Sequence, residues 1–278
     1  MTTSPLNEQS PNAAPRRRRV VLRRLAAVAV TGLGIVGAWA LGPQLAAQSA
    51  DTTQVQEKPP SRILHTETKL YSQNDEELVI RDFFQDRRGG VFLDVGAGPW
   101  KNNSTTLYLE KHLDWTGVSV DALERYRKGY EKNRPGSRFE AYAVTDRSGG
   151  TIPFYALGDL SSTDPSWKDR FRKVADRTAR VIEVPQITLN DLLDRLEVER
   201  IDFLSMDIEG GEEKALAGFD IERFAPELVC IEMKGGVESQ ALREYFESHG
   251  YDMLTAYRPY DSVNRYFARR TDKSPRTP

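Results

Sequence analysis

The stretch Val91-Phe92-Leu93-Asp94-Val95-Gly96-Ala97-Gly98 decides how the rest of the chain is read. Three apolar residues run into an acid, and a Gly-x-Gly turn follows. Buried parallel strands read as continuous apolar runs rather than alternating ones. Glycines at 96 and 98 permit a tight turn and let a ligand approach the main chain. The stretch is therefore expected to be a buried strand ending beneath a nucleotide-like ligand. Alone, such a turn is common in α/β proteins. Its weight comes from what surrounds it.

Outward from this stretch, strands and helices alternate. Strands are expected over 91–95, 115–121, 139–144, 152–156, 181–185, 201–207, 228–233, 251–257 and 266–269. Helices are expected over 74–84, 104–112, 124–133, 189–196, 214–218 and 240–249. This order predicts one α/β domain, a Rossmann-like, doubly wound and mostly parallel sheet flanked by helices. Residues 158–178 fit the alternation badly and are expected to form an inserted loop and helix over the sheet edge.

Four of the expected strands end in acids: Asp94, Asp121, Asp207 and Glu232. Each has a plain alternative, a helix N-cap for Asp94 or Asp207 and a solvent-facing side chain for Glu232. Together they fall where doubly wound sheets bind ligands, beyond the carboxyl ends of the strands. Asp121, on the strand after Asp94, is placed to accept both hydroxyls of a ribose. NAD is disfavoured, because Lys101 occupies the last position of a Gly-x-Gly-x-x-Gly pattern counted from Gly96. The chain lacks a Gly-Lys-Ser/Thr phosphate loop, which disfavours ATP.

Composition removes other classes. The net charge is −2, so nothing global points to nucleic acid. Cys230 is the single cysteine, which rules out an intrachain disulfide, and its apolar neighbours suggest a buried, inert thiol. His65, His112 and His249 are scattered, so a histidine-based zinc site is not expected.

The N-terminal segment is a separate matter. Residues 1–15 are polar and rich in Pro, Asn and Ser, and are expected to be disordered. Residues 16–48 carry six arginines, at 16–19, 23 and 24, and then a run without charge from 25 to 41. As a helix, residues 25–47 would extend about 34 Å, against a hydrocarbon layer of about 30 Å. The segment reads as a hydrophobic helix serving as a single-pass membrane anchor. The alternative is an export signal removed by cleavage near Ala47 or Ser49, with Arg18-Arg19 resembling a twin-arginine motif. The positive-inside rule keeps the arginines cytoplasmic and the domain outside. Residues 49–66 read as a linker, 67–270 as the folded domain and 271–278 as a flexible tail.

The domain resembles the FkbM family of S-adenosylmethionine-dependent methyltransferases over residues 70–268. The likeness rests on an ordered series: Ser72-Gln73-Asn74-Asp75-Glu76, Asp94-Val95-Gly96-Ala97, Ser104 with Thr106, Trp115-Thr116-Gly117 and Asn133-Arg134-Pro135. Ser161-Ser162, Asp202-Phe203-Leu204-Ser205-Met206-Asp207-Ile208-Glu209-Gly210, Ile231-Glu232 and Gly250-Tyr251 complete it. One departure stands out: the family usually has a glycine where this chain has Trp100, and an indole there is expected to close on the cofactor or block it.

The resemblance implies a class I methyltransferase fold, S-adenosylmethionine as cofactor, and O-methylation of a sugar, glycan or natural-product-like acceptor. It implies that Gly96, Ala97 and Gly98 shape the loop around the methionine part, with Ser104 nearby. It also implies that Asp94 orients the ammonium, Asp121 holds the ribose, and Tyr142 and Ala143 border the adenine. Asp207 and Glu209 are the candidate bases for the acceptor hydroxyl; a divalent metal held by them is an alternative that is not favoured. Two other functions compete: an anchored glycosyltransferase using Asp207-x-Glu209 as a metal motif, and a non-catalytic binding domain on a methyltransferase scaffold.

Overall fold

The computed structural model describes residues 61–158, 160–166, 179–233, 235 and 237–271. The hydrophobic helix expected within 16–48, the disorder expected over 1–15, residues 49–60 of the expected linker and 272–278 of the expected tail lie outside the described residues. A short helix lies within the expected linker, before residue 67. Ser61 caps a short helix, Arg62–Thr66, by accepting from the amide of Ile63 at 3.3 Å. Leu64 of that helix is buried, and the amide of Ser61 donates to Oδ1 of Asp82 at 2.7 Å in helix Glu76–Phe84.

Seven strands form the main sheet: β1 (Val91–Val95), β2 (Thr116–Asp121), β3 (Ser137–Ala141), β7 (Phe203–Met206), β8 (Leu228–Glu232), β9 (Tyr251–Met253) and β10 (Asn264–Arg269). Their order is β3-β2-β1-β7-β8-β10-β9. The pairs from β3 across to β8 are parallel, while β10 runs antiparallel to both its neighbours. The chain winds outward from β1 to β3, then crosses to β7 on the other flank of β1. That reversal makes the β1–β7 boundary the switch point at which doubly wound sheets bind ligands.

Both faces of the sheet are buried, which explains the continuous apolar runs. Leu93, Val95, Leu204, Met206 and Val229 enter one core with Leu189, Leu192 and Leu193 of helix Leu189–Arg195. Phe92, Phe203, Leu228 and Cys230 enter the other with Val79 and Ile80 of helix Glu76–Phe84 and with Trp115. Two glycine positions are set by packing. A Cβ at Gly117 would lie 2.1 Å from the carbonyl oxygen of Phe92, and one at Gly90 would lie 2.6 Å from the indole of Trp115.

The strand expected over 139–144 is broken in two. β3 ends at Ala141, and the amide of Tyr142 donates to the carbonyl of Asp121 at 3.1 Å. β4 (Ala143–Val144) then joins a second sheet with β5 (Thr151–Ala156) and β6 (Arg180–Ile187), in the order β4-β6-β5. The strand expected over 251–257 is likewise shorter, because a 3-10 turn, Thr255–Tyr257, follows β9. Of the expected insertion 158–178, only 158 and 160–166 are described; Ser162 forms an isolated antiparallel bridge with Tyr155 of β5.

Candidate active site

The tips of β1, β2 and β7 surround a hollow. Val95 is flanked by Val120 of β2 and by Met206 of β7, so residues just past these positions converge. Gly96, Ala97 and Gly98 line the hollow, with Asp121 from β2 and Asp207 and Glu209 beyond β7. Tyr142 and Ala143 close it at the break between β3 and β4, and Phe154, Gly158, Ser161 and Thr163 come from the second sheet and its loop. A smaller hollow shares Gln73, Gly96, Ala97, Asn103 and Asp207 with the first and adds Glu76, Asp94 and Ser205. Among the described residues, no lysine, arginine or histidine lines either one.

The turn after β1 is tied down on both sides. Gly96 has φ +85°, and an added Cβ would sit 1.8 Å from the carbonyl oxygen of Asp207. The amides of Gly96 and Ala97 both donate to the carbonyl of Val120, at 2.9 and 3.0 Å. The amide of Gly98 donates to Oδ2 of Asp121 at 3.0 Å, and that of Leu123 to its Oδ1 at 2.8 Å. Burial pushes the Asp121 carboxyl up to about 6, against the opposing pull of the amides of Leu123 and Gly98. Around it, Leu123, Tyr126, Val144 and Phe154 give that end of the hollow an apolar wall, suited to a nucleobase.

Asp94 is 4% exposed and sits at the end of a buried relay. Arg134, fully enclosed, pairs with Glu110 and donates to Oγ1 of Thr106 at 3.1 Å; Thr106 in turn donates to Oδ2 of Asp94 at 2.8 Å. Burial raises the Asp94 carboxyl above the ordinary range, opposed by the Thr106 hydroxyl and the Arg134 charge. Ser104 is not brought into either hollow. Its Oγ accepts from the amide of Leu107 and from Nη1 of Arg134, both at 3.2 Å, so it serves the turn and the relay.

Asp207 opens into both hollows. Carboxylate oxygens of Asp207, Glu209 and Glu232 all lie within 4.8 Å of one another. Burial, then the charges of Glu232 and Glu209, raise Asp207 well above the ordinary carboxylate range. Such a spacing would also accept a hard divalent cation. Glu209 takes a left-handed backbone, φ +59°, which a non-glycine residue adopts only under constraint. The constraint is visible: Oγ of Ser162 donates to its carbonyl at 2.7 Å, and the Glu212 carboxylate accepts the amides of Ile208 and Gly210 at 2.9 and 3.0 Å.

Trp100 neither closes on the hollow nor blocks it. It packs beside Tyr130 and Phe139, and a Cβ at Gly129 would lie 2.5 Å from its Cδ1. Gly129, in helix Arg127–Asn133, makes room for the indole that replaces the family's glycine. Sequence reasoning missed Gln73, Glu76 and Asn103 as site residues. The motif 72–76 was the available signal, but nothing local shows that a helix so far upstream reaches the tip of β1.

The doubly wound order, the glycine turn and the acids on adjoining strand tips define an α/β protein with a ligand site at the switch point of its sheet. The chain belongs to the FkbM methyltransferase family: the model of the methyltransferase FkbM domain matches residues 94–253, more than half of it. A search of curated proteins finds no match. Among solved structures, it is similar to a TehB-like SAM-dependent methyltransferase from Corynebacterium glutamicum, at 14% identity and a TM-score of 0.39, covering 72% of this chain and 89% of that one. It is also similar to a precorrin-6y C5,15-methyltransferase from Geobacter metallireducens, at 12% identity and a TM-score of 0.39, covering 75% of this chain and 90% of that one. Scores this low carry no inference about substrate.

Proposed function

We propose that this methyltransferase transfers the methyl group of S-adenosylmethionine to a hydroxyl of a sugar, glycan or natural-product-like acceptor. One observation supports the cofactor: carboxylates of Asp94, Asp121 and Asp207, from adjoining strand tips, line the two hollows. A cationic sulfonium suits that field, because an opposite charge nearby favours the ionised carboxylates. The cofactor, when bound, supplies an electrophilic methyl carbon on sulfur.

The chain's own part is positioning and proton handling. Asp121 accepts the ribose hydroxyls, Gly96 keeps the backbone clear, and Tyr142 and Ala143 border the base. Positioning two reactants removes much of the barrier to an in-line displacement. Asp207 would take the proton of the acceptor hydroxyl on a carboxylate oxygen, while the bound cofactor would supply the methyl group and retain the sulfur as a neutral thioether. A carboxylate with raised proton affinity is the better base near neutrality. Asn102, Ser161 and Thr163 add polar groups to the lining, which suits a hydroxylated acceptor.

Calorimetry with S-adenosylhomocysteine and with UDP-glucose tests the reading. Binding of the first and not the second is expected; tight sugar-nucleotide binding would move the protein to the glycosyltransferase class. Residues 25–47 are proposed as a membrane anchor, or as part of a cleaved export signal. Among the described residues, no helix is long and apolar enough to cross a membrane, and 25–47 lies outside them. Paired C-terminal fusions, one active only outside the cytoplasm and one only inside, report the side on which the domain resides.

A further inference from the structure

Tyr155 of β5 and Ser162 exchange main-chain bonds in both directions, at 2.8 and 3.3 Å, so the loop after β5 folds back and runs extended at residue 162. In extended backbone, successive side chains point to opposite sides. The loop follows that rule. Ser161 and Thr163 line the larger hollow, while Ser162 between them turns away and is wholly buried. Its hydroxyl works in both directions. Oγ donates to the carbonyl of Glu209 at 2.7 Å and accepts from the amide of Asp164 at 2.9 Å.

The turn it grips follows β7 and carries the candidate bases. The amide of Asp207 is fixed to the carbonyl of Val95 at 3.0 Å. Beyond it, Glu209 and Gly210 both take positive φ, +59° and +93°. The Glu212 carboxylate gathers the amides of Ile208 and Gly210, and Ser162 takes the carbonyl of Glu209. A left-handed backbone at a non-glycine residue persists where its surroundings hold it. The loop also lies against the far side of the turn: a Cβ at Gly211 would be 3.6 Å from Oγ1 of Thr163. Resting on the acceptor reading above, we propose that Ser162 is a positioning residue for methyl transfer. Its hydroxyl locks the turn at Glu209, and so joins the groups facing the acceptor, Ser161 and Thr163, to the candidate bases Asp207 and Glu209. Acceptor loop and base are then set as one piece, although they come from different sheets. Without the hydroxyl, a buried carbonyl loses its donor and the base drifts from the geometry that in-line transfer needs.

The test separates donor binding from transfer in the full chain. By calorimetry, Ser162→Ala should bind S-adenosylhomocysteine within about twofold of wild type, as a residue acting on the acceptor side requires. With tritiated S-adenosylmethionine and a panel of methyl glycosides, its transfer rate should fall about tenfold or more, the scale of one lost hydrogen bond. Ser162→Thr keeps the hydroxyl and should restore the rate to within about threefold. Equal losses of affinity and rate, no loss of rate, or a threonine variant as slow as the alanine one overturns the proposal. A second measurement needs neither variant nor acceptor. In native-state hydrogen exchange of wild type, the amides of Ile208 and Gly210 should open together with those of Tyr155 and Ser162 as urea is raised; separate opening overturns the proposal. Exchange decides the matter where Ser162→Ala does not fold. It also decides where wild type binds S-adenosylhomocysteine and methylates no glycoside, a result that overturns the sugar reading. Failure of wild type to bind S-adenosylhomocysteine overturns the cofactor reading, and this proposal with it.

Discussion

At the scale of single residues, Gly96 and Gly98 look alike in the sequence and differ in the fold. A Cβ at 96 meets the Asp207 carbonyl, whereas one at 98 has nothing within 4 Å despite φ +59°. Gly96→Ala is expected to abolish S-adenosylhomocysteine binding and lower the melting temperature sharply. Gly98→Ala should cost only about 1–2 kcal/mol in urea unfolding, the ordinary penalty of a left-handed residue. Asp121 makes a second prediction. Burial pushes its carboxyl up to about 6, and ribose hydroxyls donate best to the ionised form. Affinity for 5′-methylthioadenosine should therefore rise between pH 5 and 7.5, and Asp121→Asn should flatten that profile. A third concerns the base: Asp207→Asn should lower methyl transfer about 10²–10⁴-fold while leaving S-adenosylhomocysteine affinity within about threefold, as a group acting on the acceptor proton requires. The strand-tip acids were legible because a strand's end and an acid are both local signals. The place of Ser104 was not, since its partner Arg134 lies far along the chain; nor was the escape of Trp100, which depends on a glycine two elements away.

At the scale of elements, the relay from Glu110 through Arg134 and Thr106 to Asp94 joins helix Leu107–Leu113 to the end of β1. Breaking a buried ion pair by removing one partner leaves the other charge stranded. Arg134→Met should cost about 3–5 kcal/mol by urea unfolding, and adding Glu110→Leu should recover much of it. Recovery without restored S-adenosylhomocysteine affinity would separate the relay's role in holding Asp94 from its role in stability. Asn133-Arg134-Pro135 was visible as a motif, yet its purpose needs the packed structure. The alternation of strands and helices was readable because apolar runs and breakers are short-range. The break at Tyr142 was not. Phe139 to Val144 is continuous in composition, and only pairing with different partners, β2 before the break and β6 after it, divides it.

At the scale of the whole molecule, the order of strands sets the site, and the sequence supports that order only through their alternation. The starting point of the domain is a further case. Leu64 is buried and Ser61 bonds Asp82, so a chain beginning at 67 should be about 2–3 kcal/mol less stable to urea than one beginning at 61, the scale of one buried leucine. Both should bind methylthioadenosine alike.

The second sheet has a consequence for how such enzymes diversify. β5 and the loop after it reach the hollow through Phe154, Gly158, Ser161 and Thr163, while Asp94 and Asp121 belong to central strands and Gly96 to the turn after β1. On the proposed reading, the acids that meet the donor and the loop residues Gly158, Ser161 and Thr163 that face the acceptor are carried by separate stretches of chain. Grafting a foreign hairpin across that stretch can redirect which alcohol is decorated without retooling the machinery that delivers the carbon.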